Sequence, residues 1–294
     1  MKRRIRFTYL DVILLLLIFS GAAYMIYRIS VDLRYDWKWS VIPDYIVRYD
    51  SVSGSYVQGL LVRGLVTTMK LSIWASILAS LLGIVMGIMK TSERYFFRML
   101  ATSYVSLVRN IPSLVFIFIF YFFFSSQIIT FFNLDYHITG LSSNSQYLIR
   151  VFFCPPEQLT VFVSAIFTLA IYEGAYMTEI VRSGIESIEQ GQWEASDALG
   201  LSGLQRMRHI IFPQAFKRIL PPMAGQLISV IKDSAIVSVI SVQDLTFRGM
   251  ELMASTYRTF EIWITITGMY FILTFACSYA VKKLEAYMEK RGFV

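Results

Sequence analysis

Five charged residues interrupt stretches that are otherwise apolar: Glu173 and Glu179 within residues 159–181, and Lys232, Asp233 and Asp244 within residues 223–245. An ionised side chain near mid-membrane costs roughly 2.5–3.5 kcal/mol on insertion scales. Such groups persist where they bind a charged solute, relay protons or pair with one another. Lys232 and Asp233 are neighbours in sequence, so they point to different faces of a helix and pair poorly with each other. Other chemistry is not encoded. The two cysteines, Cys154 and Cys277, and the two histidines, His137 and His209, have no metal-ligand spacing. No H-E-x-x-H, G-x-S-x-G or facing Asp pair suggests an intramembrane enzyme. No Gly-Lys pair occurs, so the phosphate-cradling loop G-x-x-x-x-G-K-[ST] is missing.

The elements that must position these residues are membrane spans. Of the 294 residues, 56% are hydrophobic and only 16% charged, whereas soluble domains carry about 25% charged residues. The mean hydropathy is +0.57. A span needs roughly 20 apolar residues. Residues 71–89, 111–134 and 262–281 qualify without an internal charge, residues 9–27 qualify with Asp11, and the two charge-bearing stretches bring the number to six. The expected class is an all-α integral membrane protein.

The net charge of +7 suits membrane topology better than nucleic acid, because no basic block with interleaved aromatics stands clear of the spans. Residues 1–8, 90–110, 182–222 and 282–294 carry 17 Lys and Arg, and the opposite loops carry 7 (Arg28, Arg34, Lys38, Arg48, Arg150, Arg248 and Arg258), or 9 with Arg63 and Lys70 at the start of the next span. By the positive-inside rule both termini are cytoplasmic. Residues 1–30 read as a retained anchor rather than a cleaved signal, because the apolar run continues past Ser20-Gly21-Ala22-Ala23. Residues 31–58 form an aromatic-rich outer segment. Small residues at Ala75, Ala79, Gly83 and Gly87 make one smooth helix stripe, either a sliding surface or a static packing face.

The inner loop 182–222 carries its own helical signals. Residues 193–199 read as two helical turns that stop at Gly200, and Ser202 with Gln205 forms a capping-box pair that starts a second helix. Leu204, Met207 and Ile211 are expected on one face of it, with Pro213, Pro221 and Pro222 punctuating the chain beyond. A short helix presented in this way suits docking into a partner's groove.

Glu194-Ala195-Ser196, then Gly200 after three residues, then Ile210-x-Phe212-Pro213 after nine more, closely resembles the coupling-loop signature of ABC importer permeases. Ser196 stands for Ala and Phe212 for Leu. Gly174-Ala175-Tyr176, Arg109-Asn110-Ile111-Pro112, Lys232-Asp233-Ser234 and Lys282-Lys283-Leu284-Glu285 are similar to the polar amino-acid branch of that family. The likeness spans about residues 57–288. It implies a five-span core (residues 59–288) with an added N-terminal helix and an outer insertion at 125–158.

The resemblance also implies the partners: separate ABC ATPase subunits that use ATP and Mg, a second permease subunit that is identical or paralogous, an extracytoplasmic amino-acid-binding protein, and membrane lipids. No cofactor is expected on this chain. Glu194, Ala195, Ser196, Leu199 and Gly200 become the ATPase-coupling residues. Lys232 or Asp233 would hold an amino acid's carboxylate or amine or pair across helices at an inner gate, and a purely structural ion pair stays open. Glu173 stands where the family has a small or amide residue and is a further candidate for the solute path. Glu179 and Arg182 would brace the loop. The alternative is a proton-coupled secondary transporter, which leaves the structured loop unexplained.

Overall fold

A computed structural model describes residues 8–32, 35–52, 54–125, 127 and 142–290. Residues 1–40 and 41–294 are two separate units. The first contains α1 (Tyr9–Asp32) and a run of aromatics, in which Tyr35 meets Trp37 edge-on and Trp37 stacks on Trp39.

The second unit begins with α2 (Ile42–Ile46) and an antiparallel hairpin, β1 (Val47–Asp50) with β2 (Ser55–Gln58), in which Val47 pairs with Gln58. This small hairpin departs from the all-α expectation. Its turn is tight enough that Gly54 adopts a positive φ of 62°, and Tyr49 packs edge-on against Tyr56 across the strands.

The helices after the hairpin are α3 (Leu60–Lys90), α4 (Tyr95–Asn110), α5 (Ser113–Ile119), α6 (Ser143–Phe152), α7 (Leu159–Glu186), α8 (Gln190–Ala198), α9 (Gly203–Arg206), α10 (Phe212–Asp233), α11 (Leu245–Thr256) and α12 (Thr259–Lys290). Among the described residues, four stretches are long and apolar enough to cross a membrane: Leu60–Lys90, Pro156–Glu186, Gly203–Ile240 and Thr259–Met288. The bent pair Tyr95–Asn110 and Ser113–Phe123 makes a fifth. The remaining expected span is α1, in which the apolar stretch Tyr9–Met25 falls short of a span by itself.

Three boundaries differ from the sequence-based expectation. Residues 95–110, counted as inner loop, form a helix that meets the next one at 112°. Pro112 enforces the break, since it disfavours α conformation at Ile111, which is extended at ψ 135°. Of the span expected at 111–134, residues 126 and 128–134 lie outside the described residues. The third difference concerns the expected loop 182–222. The α7 helix runs on to Glu186, and from Gly203 the chain is helical to Ile240, so little of the loop is irregular. Pro213, Pro221 and Pro222 all lie inside this continuous helical run, Pro213 two residues past a wider turn at residues 207–211.

The core is the pair α3 and α7. Lipid tails are as apolar as leucine, so helices associate in membranes by close packing rather than by burial from water. The small stripe does this here: Ala75, Ala79, Gly83 and Gly87 are all buried. A Cβ on Gly83 would come within 2.5 Å of the Met177 Cβ, and one on Gly87 equally close to Val181. The stripe is a packing face in this state. Both cysteines are free, and burial pushes the Cys154 thiol up to about 12, which keeps it protonated and inert.

Candidate functional site

The segment between α7 and α10 is built from local signals. Ser202 accepts from the Gln205 backbone N–H while the Gln205 side chain accepts from the Ser202 N–H, closing the capping box. Gly200 adopts φ +69°, and the α8 helix ends on two paired bonds, Gly200 N–H to the Asp197 carbonyl and Leu201 N–H to that of Ser196. This is the Schellman arrangement, which requires a left-handed residue at that position. Gly200 has nothing within 4 Å of where a Cβ would stand, so backbone conformation rather than space within this chain demands glycine.

The expected coupling residues divide by face. Ser196 is fully buried and donates to the Trp193 carbonyl at 2.6 Å, whereas Glu194, Ala195, Leu199 and Gly200 are exposed. Glu194 accepts from Gln190 at 3.0 Å. Beneath them lies Arg206, invisible as a functional residue in the sequence. It donates to Glu93 at 2.7 Å and to Asp197, and its guanidinium lies 5.3 Å from the Trp193 ring centre. One side chain thus ties the 91–94 turn, α8 and α9 together. Gln214 reaches Gln192 at 3.2 Å, and Arg218 donates to the Ser187 carbonyl. Only an arginine four residues after a cap serine hinted at this role, and partners so remote in sequence gave no further signal.

Leu204 does not join Met207 and Ile211. It is 78% exposed while Ile211 is fully buried, because residues 207–211 form a π-turn. The wider turn shifts the helix face, so the α-helical spacing used to group the three residues no longer applies.

Glu179 and Arg182 lie at the C-terminal end of α7. Glu179 binds Lys90, the last residue of α3, and accepts from Arg182 at 2.7 Å, and Arg182 also reaches Glu186. These contacts brace α3 against α7 rather than against the irregular part of the loop. Arg109 lies nearby, 5.1 Å from the centre of the Tyr176 ring.

At mid-span Glu173 is fully buried. It accepts from Gln226 of α10 at 2.7 Å, and its other oxygen, Oε1, makes no hydrogen bond. The Asp233 carboxyl approaches the same group. The structure therefore unites Glu173 and Asp233 and adds Gln226, which sequence reasoning missed because an amide in an apolar stretch raises no alarm. Lys232 is exposed instead, and among the described residues no carboxylate lies at ion-pair distance from it. The arrangement leaves one buried carboxyl oxygen without a partner where α7 meets α10.

Residues 79–290 match the family model of the binding-protein-dependent transport system inner membrane component. The chain belongs to that family. It is 31% identical over 228 residues to a putative glutamine transport system permease protein GlnP of Rickettsia typhi, covering 78% of this chain and 92% of the relative. The glutamine transport system permease protein GlnP of Escherichia coli K12 is 29% identical, with 87% and 99% covered. Among solved structures, a crystal structure of an amino acid ABC transporter with histidines superposes with a TM-score of 0.65 at 30% identity, over 86% of this chain and all of that one. The MetNI methionine ABC transporter, at 18% identity and TM-score 0.59 over 80% and 96%, shares the fold. This chain is a multi-pass inner-membrane permease subunit of an ABC importer, which sets aside the proton-coupled alternative.

Proposed function

We propose that the chain carries a polar amino acid inward and takes its driving force through α8. Relatives named as glutamine permeases, and the amino acid transporter of similar structure, support that solute class. A second permease, identical or paralogous, completes the path. An extracytoplasmic binding protein delivers the solute, and separate ATPase subunits bind and hydrolyse ATP with Mg. Both termini face the cytoplasm.

The carrying observation is a short helix with a braced underside and a free outer face. Arg206 ties α8 to α9 and to the 91–94 turn, Ser196 is buried on the inward face, and Glu194, Ala195 and Leu199 stand exposed. Glu194 makes charged contact with the ATPase groove, Ala195 and Leu199 seat the helix, and Gly200 sets the angle at which it is presented. ATP closes the ATPase pair and shifts the population between inward-open and outward-open states, with α7 and α10 acting as levers. Glu173 and Asp233 receive the amine of the solute between them, and Lys232 faces the second permease or the solute carboxylate.

Affinity purification of the wild type and of Glu194→Arg from mild detergent tests the reading. A separate ATPase subunit accompanies the wild type and is lost from the variant. Purification of a well-folded wild type without any ATPase, or full retention by the variant, overturns the assignment of α8 as the coupling helix.

A further inference from the structure

Lys70 and Lys90 of α3 bound a stretch with no charged residue. Twenty residues of helix span about 30 Å, the thickness of a bilayer's hydrocarbon core. Lys90 stands at the cytoplasmic boundary, so Lys70 marks the outer one. At that level a cleft of about 560 Å³ opens between α3, the end of α6 and the start of α11. It is lined by four cations, Arg63, Lys70, Arg150 and Arg248, together with the amides of Gln58 and Gln243.

The cations are under-compensated. Arg248 donates to Glu251 at 2.7 Å and to Gln243, yet its buried Nε has no partner. Lys70 donates to the Arg150 carbonyl at 2.8 Å. Among the described residues no carboxylate forms an ion pair with Arg63, Lys70 or Arg150. The acids around the cleft are Glu251, taken up by Arg248, the buried helix cap Asp244, Glu157, exposed beside Pro156, and Asp44, which lines an adjoining cleft with Arg63.

The neighbouring helix shows what surrounds the cleft. Along α6, Tyr147, Leu148, Val151 and Phe152 are 44–68% exposed and share one face, while Arg150 lies on another. A short helix with one uncovered apolar face and a basic residue beside it suits the membrane interface. It is pinned at that depth: the Trp74 indole donates to the Phe152 carbonyl at 3.0 Å and stacks on Phe153 at 4.9 Å, as tryptophan does at the headgroup level.

We infer that α6 lies in the outer membrane interface and that the cleft beside it binds the phosphate of an anionic phospholipid. The apolar face of α6 takes up the acyl chains, and Arg63, Lys70 and Arg150 take the headgroup, with the Arg248 guanidinium in the cleft wall. The insertion that carries α6 is then a lipid-binding element. This requires only that the chain lies in a membrane and does not depend on the solute or on the ATPase.

Native mass spectrometry of the full-length chain tests it, after delipidation and addition of phosphatidylglycerol, phosphatidylcholine with the same acyl chains, or inorganic phosphate. Each Lys or Arg near an anionic lipid surface contributes about 1 kcal/mol, a factor of about five. The wild type retains phosphatidylglycerol at least about fivefold over phosphatidylcholine. Arg63→Gln with Arg150→Gln loses that preference, and Arg63→Lys with Arg150→Lys keeps it while showing that the site folds. Equal retention of the two lipids by the wild type, or an unchanged preference in the glutamine variant, overturns the inference. Inorganic phosphate that displaces phosphatidylglycerol at equal concentration also overturns it, because the site then takes the free anion.

Discussion

Replacing Gly200 separates two reasons for a glycine in the coupling segment. If the docking partner needs the space, any side chain harms equally. If the backbone needs it, the damage depends on how well the new residue tolerates a left-handed conformation. The structure supports the second reason: φ is +69° and no atom lies within 4 Å of a Cβ. Holding an L-residue there costs roughly 1–2 kcal/mol, a factor of about 5 to 30 in an equilibrium. Gly200→Ala therefore weakens the apparent affinity for the ATPase by up to that factor, with little change in the thermal stability of the membrane helices. Asparagine is enriched in this region of backbone space, so Gly200→Asn recovers most of the loss despite its larger side chain. The assay is titration of the purified ATPase onto permease variants in nanodiscs, with ATP-driven uptake in proteoliposomes alongside. If Gly200→Asn is as damaging as Gly200→Ala, the partner's surface sets the requirement. If Gly200→Ala is harmless, the turn does not govern docking.

Two further outcomes concern stability. Lys90 and Glu179 pair at the inner end of the α3–α7 interface with side chains only 15% and 19% exposed. Lys90→Ala lowers the melting temperature in detergent by an amount corresponding to about 1–3 kcal/mol, below the roughly 3–5 kcal/mol of an orphaned buried charge, because Arg182 still pairs with Glu179. Adding Glu179→Gln to it restores part of the loss; no recovery would mean that the charge on Glu179 is not what the pair neutralises. Asp244, past the end of the Gly203–Ile240 span, is fully buried and caps α11 by accepting from the Phe247 N–H at 2.7 Å. Burial raises its carboxyl to about 7, so between pH 4 and 7 the folded chain binds a proton that the unfolded chain has released, and stability falls as pH rises through that window. The melting temperature of the wild type should drop between pH 5 and 8 more than that of Asp244→Asn, and parallel profiles would refute the assignment.

What the sequence made legible was local. The glycine stop, the capping box and the short helix between them are set by neighbours within a few residues, so Gly200, Ser202 and Gln205 stand as read. The spans were found where apolar length alone decides, as in α3 and α12. Missed features depended on distant partners or on tertiary override of local rules. Pro213, Pro221 and Pro222 read as punctuation, yet the chain stays helical through them from Gly203 to Ile240, with the π-turn at residues 207–211 just before Pro213. The π-turn at residues 207–211 moved Leu204 off its expected face. The α4 helix, Tyr95–Asn110, was hidden by its mixed composition. Arg206 and Gln226 act through Glu93, Asp197 and Glu173, and no spacing rule links an arginine to a glutamate 113 residues away.

The Glu173–Gln226 bond matters because of where the two levers meet. The helices α7 and α10 are linked through α8 at one end and by this hydrogen bond at mid-span, so a displacement of α8 that separates the helices must stretch or break it. In the proposed reading that separation uncovers Glu173, which exchanges Gln226 for a solute amine, and the buried Oε1, unpartnered until then, gains a partner. Glu173→Gln keeps a partner for Gln226 and nearly the same volume but removes the charge. A hydrogen bond to a charged group is worth about 1.5–3 kcal/mol, so the variant raises the KM for uptake at least about tenfold in proteoliposomes while ATPase docking and the melting temperature stay at or above wild type. A stable, docked variant with an unchanged KM would refute the solute role and leave Glu173 as a helix-to-helix tie. A variant that loses docking as well would show that the mid-span bond and α8 are mechanically coupled even without solute, and would place Glu173 in the transmission rather than in the binding step.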